Sequence, residues 1–337
     1  MNTFVIAEIG PNHNGSLETA LLMVENLAQS GADAIKFQLA QPDAVYSADA
    51  FKAGYQTKND GTGSVIEMSR RLQLSRSAHE QLHAACMGIG VPYLCTAFDI
   101  GSLQFLDEVL SIPRFKIGSG ELLTVDMLEY MSWRKKPVIA STGMASFVEI
   151  SKALKILMSN GLEDITLLHC VSNYPAPHAD MNLRVIPELA RRFGLKTGFS
   201  DHSLGQECCL AAVALGAVVI EKHVTLDKFM AGPDHLASAT FEEFAELVTA
   251  IRKVEAAMGT AEKGFSPDED AIRRMARKSI VAQRTIPSGA IVQPEDITYK
   301  RPGTGISPID RDKVIGRRAL RELQENRVIL AKDLGSK

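Results

Sequence analysis

Eight short apolar runs recur along the chain, and each of them ends in side chains that can do chemistry. The runs occupy residues 4–10, 32–38, 91–98, 114–121, 136–143, 164–170, 195–202 and 217–224. Their carboxyl-terminal ends carry Glu8, Lys36, Gln38, Thr96, Lys116, Glu121, Ser141, His169, His202 and His223. A strand buried on both faces is apolar throughout, so polar residues gathered at one end of most strands indicate a shared site. In a (β/α)8 barrel the active site lies at that end. The alternative is that these residues mark where each strand reaches solvent.

The segments between the runs have the period and the caps of helices. Residues 16–31, 75–90 and 146–161 each begin with a serine and end with a glycine, and residues 240–258 form a longer amphipathic helix. Strands that alternate with helices of this length are typical of parallel βαβ units. We therefore predict an α/β fold, a TIM barrel of eight such units. An open doubly wound sheet is the alternative, but the sequence GPNHNG after the first run lacks the G-x-G-x-x-G pattern.

The pattern changes after residue 258. Residues 259–278 are polar, contain Gly, Ser and Pro, and are interpreted as a linker that ends in a short basic helix. Residues 279–337 hold short β-like runs separated by turn signals. We predict a barrel domain over residues 1–258, then this linker, then a small, mostly β domain. A module of that size buries little surface by itself, so we expect it to lean on the barrel or on a second subunit.

Composition excludes several classes of protein. The 337 residues carry a net charge of −3, which gives no electrostatic basis for binding nucleic acid or an anionic membrane. No apolar stretch reaches the roughly 20 residues that span a bilayer, and the first residues lack a basic leader. The five cysteines are scattered and lie mostly within apolar runs, which predicts buried, reduced thiols and a cytoplasmic location.

His202 and His223 end two consecutive predicted strands, and neighbouring strand ends of a barrel lie close together. Two imidazoles completed by oxygen ligands suit a divalent ion such as Mn²⁺, Co²⁺ or Zn²⁺. The third protein ligand of a zinc hydrolase is not evident, so we predict an open site that water and substrate complete. Two core histidines hydrogen-bonded to the backbone are the alternative.

Lysines and hydroxyls at the same strand ends form a candidate anion site. Inward-facing ammonium and hydroxyl groups can hold a phosphate and a carboxylate on one small molecule. The candidates are Lys36, Thr96, Lys116, Ser119, Ser141 and Ser200. A Schiff base on Lys36 or Lys116 is a second functional interpretation, and solvated strand ends are the third.

Glu8 and Glu121 are candidates for proton transfer or for orienting water. Glu8 lies deep in an apolar run, and a buried carboxylate is costly unless it is paired or protonated. A salt bridge to Lys36 or Lys116 is the alternative. Arg301, in the sequence KRPGTG of the small domain, would clamp a substrate if its loop covers the barrel mouth; a surface arginine without a role is the alternative.

Across nearly its whole length, and in order, the chain resembles the sialic acid synthase family, also called N-acetylneuraminate synthases. The matching stretches are AEIGPNHNGS, IKFQ, FKIGSGE, IASTGM, LLHCVSNYPAP, FSDHS, IEKHVT, GPDHLAS and KRPGTGI. The resemblance implies a barrel followed by an antifreeze-like (SAF) domain. It also implies that phosphoenolpyruvate condenses with an N-acylated mannosamine-type aldose, giving a nine-carbon 2-keto sugar acid and phosphate. The implied assembly is a homodimer in which the SAF domain caps the partner's active site.

The resemblance also implies roles for single residues. His202 and His223 match metal ligands, with Mn²⁺ expected and Mg²⁺ or Co²⁺ as alternatives, and Glu8 matches the glutamate that positions or deprotonates the attacking water. The positions that match contacts to phosphoenolpyruvate are Lys36, Thr96, Lys116, Ser119, Ser141 and Ser200. The positions that match those around the sugar are Gln38, Glu121, Tyr174, Asp234 and Arg301, with Arg301 arriving from the other subunit.

Two departures from the family pattern fall on the sugar side. Ser172 stands where some members have Asn, with Asn173 offset by one, and Met275 stands where some members have an aromatic that touches the sugar. The acceptor therefore stays open among N-acetylmannosamine, its 6-phosphate, and the 6-deoxy di-N-acetylated sugars that lead to legionaminic or pseudaminic acid. A Schiff-base aldolase and a carbohydrate-binding protein without activity are the competing functions. Glu8 counts against the second, because binding alone does not need it.

Overall fold

The computed structural model describes residues 2–336, and it confirms the predicted (β/α)8 barrel. Eight parallel strands follow one another in sequence order, and β1 closes the barrel by pairing with both β2 and β8. They are β1 (Phe4–Glu8), β2 (Ala34–Leu39), β3 (Tyr93–Ala97), β4 (Phe115–Ile117), β5 (Val138–Ser141), β6 (Ile165–Cys170), β7 (Lys196–Asp201) and β8 (Val219–His223). Seven of the eight predicted runs contain one of these strands, and β2 ends one residue beyond the second run.

The helices surround the barrel, and four of them begin at the predicted caps. The hydroxyls of Ser16, Ser75, Ser146 and Thr240 each accept a hydrogen bond from the backbone N–H three residues on. The helices of this part of the chain are α1 (Leu17–Leu27), α2 (Pro42–Val45), α3 (Gly54–Asp60), α4 (Val65–Leu72), α5 (Arg76–Gly88), α6 (Ile100–Glu108), α7 (Val125–Arg134), α8 (Phe147–Leu157), α9 (Val185–Phe193), α10 (Glu207–Ala214) and α11 (Phe241–Met258). Within residues 2–336, no helix is both long and apolar enough to cross a membrane.

Alternation along the strands separates two apolar layers. Side chains such as Val5, Ala7 and Phe37 belong to the core between the strands and the helices. The intervening side chains face the barrel axis, where an apolar floor is formed by Ile6, Ala34, Leu94, Ile139, Leu168 and Val219. Because the side-chain period of a strand is two residues, the next inward-facing position lies two residues beyond the floor. Those positions carry the polar groups of the site.

The chain divides into two compact units, the first ending at Gly259 and the second beginning at Thr260. The second unit contains α12 (Pro267–Ala276), which lies within the segment predicted to be a linker that ends in a short helix. It also contains an antiparallel pair, β9 (Ser279–Ala282) and β10 (Ile297–Lys300). Short bridges and turns complete the unit around its own apolar core of Ile280, Ala282, Ile286, Val292, Val314, Ala319, Leu323, Ile329 and Leu334.

Candidate active site

One inward-facing side chain from each of the eight strands forms a ring of groups at the carboxyl end of the barrel. This inner ring consists of Glu8, Lys36, Thr96, Lys116, Ser141, Cys170, Ser200 and Glu221. All eight residues are at most 5% exposed, and all line one cavity of about 290 Å³. On most strands the ring residue lies two positions beyond a floor residue, as Glu8 follows Ile6. The period of the strand therefore places these polar groups inside the barrel.

Lys36 lies between the two carboxylates of the inner ring. Its Nζ is 2.7 Å from Glu8 Oε2 and 3.7 Å from Glu221 Oε2. The same ammonium donates a hydrogen bond to Thr96 Oγ1 at 3.0 Å. The two carboxylates hold the pKa of Lys36 above its ordinary value although burial opposes the charge. Lys36 is therefore a fixed cation and a poor amine nucleophile. The salt bridge between Glu8 and Lys36 was the structural alternative for Glu8, and it is present.

Lys116 is the second cation of the ring, on the other side of Glu221. Its Nζ donates to Ser141 Oγ at 2.7 Å and lies 3.8 Å from Glu221 Oε1. Ser200 Oγ donates to the same Glu221 oxygen at 2.9 Å. Burial lowers the pKa of Lys116, whereas the ammonium groups of Lys116 and Lys36 hold the pKa of Glu221 down against its own burial. Glu221 thus lies within ion-pair distance of both lysines.

Glu8 has the opposite electrostatic character. Burial raises the pKa of its carboxyl to about 7, the Lys36 ammonium opposes this rise, and the charge of Glu221 reinforces it. Gln38 Nε2 donates to Glu8 Oε1 at 2.7 Å and fixes the orientation of the group. A carboxyl with a pKa near neutrality can exchange a proton with a bound water. Of the groups in the ring, Glu8 is therefore the one suited to act on water.

A second tier of side chains surrounds the ring at the mouth of the same cavity. We call this tier the outer rim; its members are Gln38, Tyr55, Ser119, Glu121, Ser172, Tyr174, His202 and His223, which line the cavity, and Asp234 beside them. Most of the rim stands on loops that follow the strands.

His202 and His223 face each other across the rim, with ring centroids 5.5 Å apart. His202 Nδ1 is 2.7 Å from the Val171 carbonyl oxygen, an arrangement that places the proton on Nδ1 and leaves Nε2 as the lone-pair nitrogen. The Nδ1 atom of His223 is buried without a hydrogen-bond partner, 3.9 Å from Asp234 Oδ2. Burial lowers the pKa of His202 to about 4 and that of His223 well below its ordinary value.

Two neutral imidazoles at this separation can ligate one divalent ion, whose bonds to nitrogen are about 2.0–2.1 Å long. Within residues 2–336, no group of three or more His, Cys, Asp and Glu side chains is arranged to hold a metal. The histidine pair fits such an ion, and completion of the site by water and substrate stays a prediction.

Small side chains converge on Gly143, just beyond β5. The Gly143 N–H donates to Ser119 Oγ at 3.0 Å, and Ser119 Oγ lies 3.1 Å from Cys170 Sγ. A Cβ at residue 143 would lie 2.5 Å from Ser172 Oγ and 2.8 Å from Ser119 Oγ. Glycine at this position therefore keeps the three small polar groups together at one side of the cavity.

Glu121 belongs to the loop after β4, two residues beyond Ser119. Its Oε2 atom is buried without a hydrogen-bond partner, and burial raises the pKa of the carboxyl to about 7. A Cβ at Gly118 would lie 2.6 Å from that oxygen, so the glycine is needed for Glu121 to turn into the cavity. An unpartnered buried carboxyl is available for a hydrogen bond to a ligand.

Asp234 reaches the site through a network between two loops. Asn12, after β1, donates to Ser238 Oγ at 2.8 Å, and Ser238 Oγ donates to the Asp234 carbonyl at 2.8 Å. Burial raises the pKa of the Asp234 carboxyl to about 7, and the charge of Glu8 adds to the rise.

Arg301 belongs to the second unit and is not among the side chains that the barrel brings together. It is exposed and lines a groove of about 650 Å³ with Lys300, Arg321 and Arg327. Met275 is also exposed in that unit, on α12.

One sequence expectation is wrong, and three cavity residues were missed: Glu221, Tyr55 and the ring residue Cys170. His169 turns away from the cavity: its Nε2 lies 2.7 Å from the Met181 carbonyl, and its ring stacks on Phe199 at 6.0 Å. Glu221 was missed although it lies two residues before His223 on β8, which places both on one face. Tyr55 was missed because it lies on the excursion between β2 and β3, for which no periodic signal points to the mouth.

Comparisons with known proteins agree on one family. A family model described as the NeuB family matches residues 23–263, and a model of the SAF domain matches residues 277–335. The chain is 41% identical to N,N'-diacetyllegionaminic acid synthase of Legionella pneumophila over 98% of this chain and 94% of that protein. It is 34% identical to N-acetylneuraminate-9-phosphate synthase of Homo sapiens, over 97% of this chain and 91% of that protein.

A solved structure gives the same result. The crystal structure of N-acetylneuraminic acid synthetase from Leptospira borgpetersenii superimposes with a TM-score of 0.73 at 31% identity, covering 81% of this chain and 90% of that chain.

Proposed function

We propose, from the premise that this chain belongs to the NeuB family, that it condenses phosphoenolpyruvate with an N-acyl mannosamine-type aldose. The product would be a nine-carbon 2-keto sugar acid of the sialic acid type, and phosphate would be released. The observation that carries the proposal is the inner ring, in which two lysines, three hydroxyls and two carboxylates meet beside a pair of neutral histidines. Legionaminic acid is supported as well as N-acetylneuraminic acid, because the relative from Legionella pneumophila is named for it. Pseudaminic acid is the third possibility in the family.

Phosphoenolpyruvate would bind at the inner ring. Lys36 and Lys116 supply positive charge within one buried cavity, and Thr96, Ser141 and Ser200 supply hydroxyls beside them. Buried, charge-assisted hydrogen bonds of this kind suit the carboxylate and the phosphate of the donor. Ser119 would extend the same contacts at the rim.

A divalent ion, Mn²⁺ by expectation with Mg²⁺ or Co²⁺ as alternatives, would be held by His202 and His223. When bound, it would act as a Lewis acid toward the sugar aldehyde. Asp234 lies beside His223 and would orient the sugar.

The carbon–carbon bond forms when C3 of phosphoenolpyruvate attacks C1 of the aldose. The electron pair comes from the enol, which leaves an oxocarbenium character at C2 of the donor, while the aldehyde C=O π bond breaks and its oxygen takes up a proton to become a hydroxyl. Glu8, whose pKa of about 7 suits a general base, takes a proton from the water that adds to C2, which balances the proton taken up by the sugar oxygen. The bond between C2 and the bridging oxygen then breaks, phosphate leaves with that oxygen, and the new C2 hydroxyl loses its proton to give the 2-keto group. Lys36 and Lys116 offset the anionic charge of the donor throughout.

The remaining rim residues would bind the sugar. Gln38, Glu121, Ser172 and Tyr174 line the outer part of the cavity. Arg301 would arrive from the SAF domain of a second subunit, in a domain-swapped homodimer. Mixing a His202→Ala protein with an Arg301→Ala protein tests this arrangement, because a mixed dimer would restore one intact site. Activity that never rises above that of the separate variants would count against the swap.

The function is tested by phosphate release from phosphoenolpyruvate with a panel of acceptors. The panel contains N-acetylmannosamine, its 6-phosphate, and the 6-deoxy di-N-acetylated sugars of the legionaminic and pseudaminic series. Donor labelled with ¹⁸O in the bridging oxygen should yield labelled phosphate, because the C–O bond breaks. Phosphate release with none of the sugars, or label retained in the keto acid, would contradict the proposal.

A Schiff-base aldolase is the competing function. The lowered pKa of Lys116 is the feature that favours it. Borohydride in the presence of pyruvate would trap a covalent adduct on an aldolase. The synthase has no imine, so we expect no adduct and full activity after dialysis.

A further inference from the structure

The excursion between β2 and β3 reaches the mouth of the barrel, and the reaction steps above do not use it. This segment contains α2 to α5, and Ala53 and Tyr55 line the cavity with the strand ends. Tyr55 is half-buried on the short helix α3. Tyr55 thus lines the cavity from a helix rather than from a strand end.

Tyr55 continues a row of rings that ends at the candidate metal ligands. Its ring centroid lies 5.0 Å from that of Tyr174, with an interplanar angle of 31°. Tyr174 lies in turn 4.0 Å from the ring of His202 and 5.6 Å from that of His223. We call Tyr55, Tyr174 and His202 the aromatic wall. It bounds the half of the cavity in which the aldehyde of the acceptor would meet the donor.

The position of Tyr55 is fixed by contacts of α3 that do not require a ligand. Asn59 Nδ2 donates to the Pro233 carbonyl at 2.8 Å and so ties α3 to the loop that carries Asp234. Lys52 Nζ pairs with Asp60 Oδ2 at 2.7 Å and holds the end of the helix. A ring that is already held in place loses little conformational entropy when a ligand binds.

The neighbours of Tyr55 belong to the acceptor half of the site. Burial raises the pKa of its hydroxyl, and the charge of Asp234 reinforces the rise, as it does for Tyr174. Aromatic side chains offer a large apolar face with a polar tip. Such a face can pack on the C–H groups and the acyl methyl of an amino sugar, which a phosphoenolpyruvate anion lacks.

We infer that Tyr55 is a specificity-determining residue that contacts the N-acyl amino sugar through the aromatic wall. This inference rests on the proposed function and adds to it a residue from outside the strand ends. It predicts that changes at Tyr55 act on the acceptor and spare the donor.

The test compares Tyr55→Ala, Tyr55→Phe and Tyr55→Leu in the full-length chain, with the sugar of the panel that the wild type uses best. For Tyr55→Ala we expect the KM for the sugar to rise at least about tenfold, with the KM for phosphoenolpyruvate within about twofold. Tyr55→Phe keeps the ring and should stay within about threefold for both substrates. Tyr55→Leu keeps bulk without a flat ring and should raise the sugar KM more than Tyr55→Phe does.

Thr57→Ala is the matched control, since Thr57 is exposed on the same helix and its hydroxyl donates only to the backbone carbonyl of Ala53, the residue that caps the helix. It should leave both KM values unchanged. An unchanged sugar KM in Tyr55→Ala overturns the inference, as does an equal rise in both KM values. If Tyr55→Ala does not fold, an unchanged sugar KM in Tyr55→Leu overturns it. If the wild type uses no sugar of the panel, the proposed function itself is contradicted. Failure of the proposed function is therefore distinguishable from failure of the inference about Tyr55.

Discussion

The inner ring and the outer rim lie in one cavity, but they are built in different ways. Each ring residue stands on a strand, is nearly inaccessible, and, apart from Cys170, is joined to another ring residue by an ion pair or a hydrogen bond. The rim draws mostly on loops and leaves polar atoms without partners, among them His223 Nδ1 and Glu121 Oε2. The barrel thus fixes a rigid arrangement of charge in its interior, whereas the loops above it hold groups that wait for a ligand. In our account the ring holds the donor and the rim holds the acceptor, and the relatives are named for different products.

The largest effect is expected at the two rim histidines. His202→Ala and His223→Ala should each lower kcat by about 10⁴-fold, since several kcal/mol of Lewis-acid stabilisation would be lost. Strong chelator should do the same to the wild type, and added Mn²⁺ should restore it. Phosphate release under saturating substrates measures both. His178→Ala, at an exposed histidine outside the cavity, is the control and should keep full activity. Full activity of the wild type in chelator would contradict a metal site at the rim.

Glu8 tests whether the ring does chemistry as well as binding. Glu8→Gln keeps the shape of the side chain and should lower kcat about 10²–10³-fold, because the base is lost. Binding of phosphoenolpyruvate and of Mn²⁺, measured by calorimetry, should remain. A variant with more than a tenth of wild-type kcat would reduce Glu8 to the structural partner of Lys36.

The pH dependence separates the ring carboxyl from the rim carboxyl. Glu8 must be ionised to accept a proton, and its pKa is raised to about 7. We therefore expect kcat/KM to rise about tenfold per pH unit below pH 7 and to level off above it. Because Glu121 and Asp234 of the rim also have pKa values of about 7, the profile is repeated in Glu121→Gln and in Asp234→Asn. The rising limb should persist in both variants; its disappearance in either would assign the limb to the rim.

The smallest effect concerns the charge of the acceptor. Neither Glu121 nor Asp234 has a lysine or arginine within 4 Å among residues 2–259 of the structure. A phosphate ester bound beside two carboxyl groups meets like charge. We expect the kcat/KM for N-acetylmannosamine to exceed that for its 6-phosphate by about tenfold, with Asp234→Asn narrowing the ratio. A preference for the phosphate would show that a cation outside the barrel unit controls this end of the site.

The ring was accessible to sequence reasoning because a strand has a simple rule. Glu8, Lys36, Thr96, Lys116, Ser141 and Ser200 all end apolar runs, and the structure places them in one cavity. The same rule explains the error at His169, which is one position out of phase with Leu168 and Cys170 and therefore faces the helices. Applied strictly, it would also have identified Glu221, two residues before His223.

The rim was less accessible because loops have no period. Tyr55 lies at the mouth because its helix is held there by a hydrogen bond from Asn59 to the Pro233 carbonyl, which is distant in sequence. Asp234 depends on a network that starts at Asn12. Arg301 lies in another unit, where no strand rule of the barrel applies. The sequence named Asp234 only through family resemblance, whereas Arg301 was also singled out by the sequence KRPGTG; the roles of both stay predictions.

The central claim is that the inner ring binds phosphoenolpyruvate, and calorimetric titration of the donor tests it most directly. Lys36→Met and Lys116→Met should each raise the dissociation constant for phosphoenolpyruvate at least about tenfold, because a buried charge-assisted contact is lost. Lys196→Met is the control, since Lys196 is exposed at the other end of β7, and it should bind the donor as the wild type does. Donor binding in the two ring variants that equals binding in Lys196→Met would contradict the account.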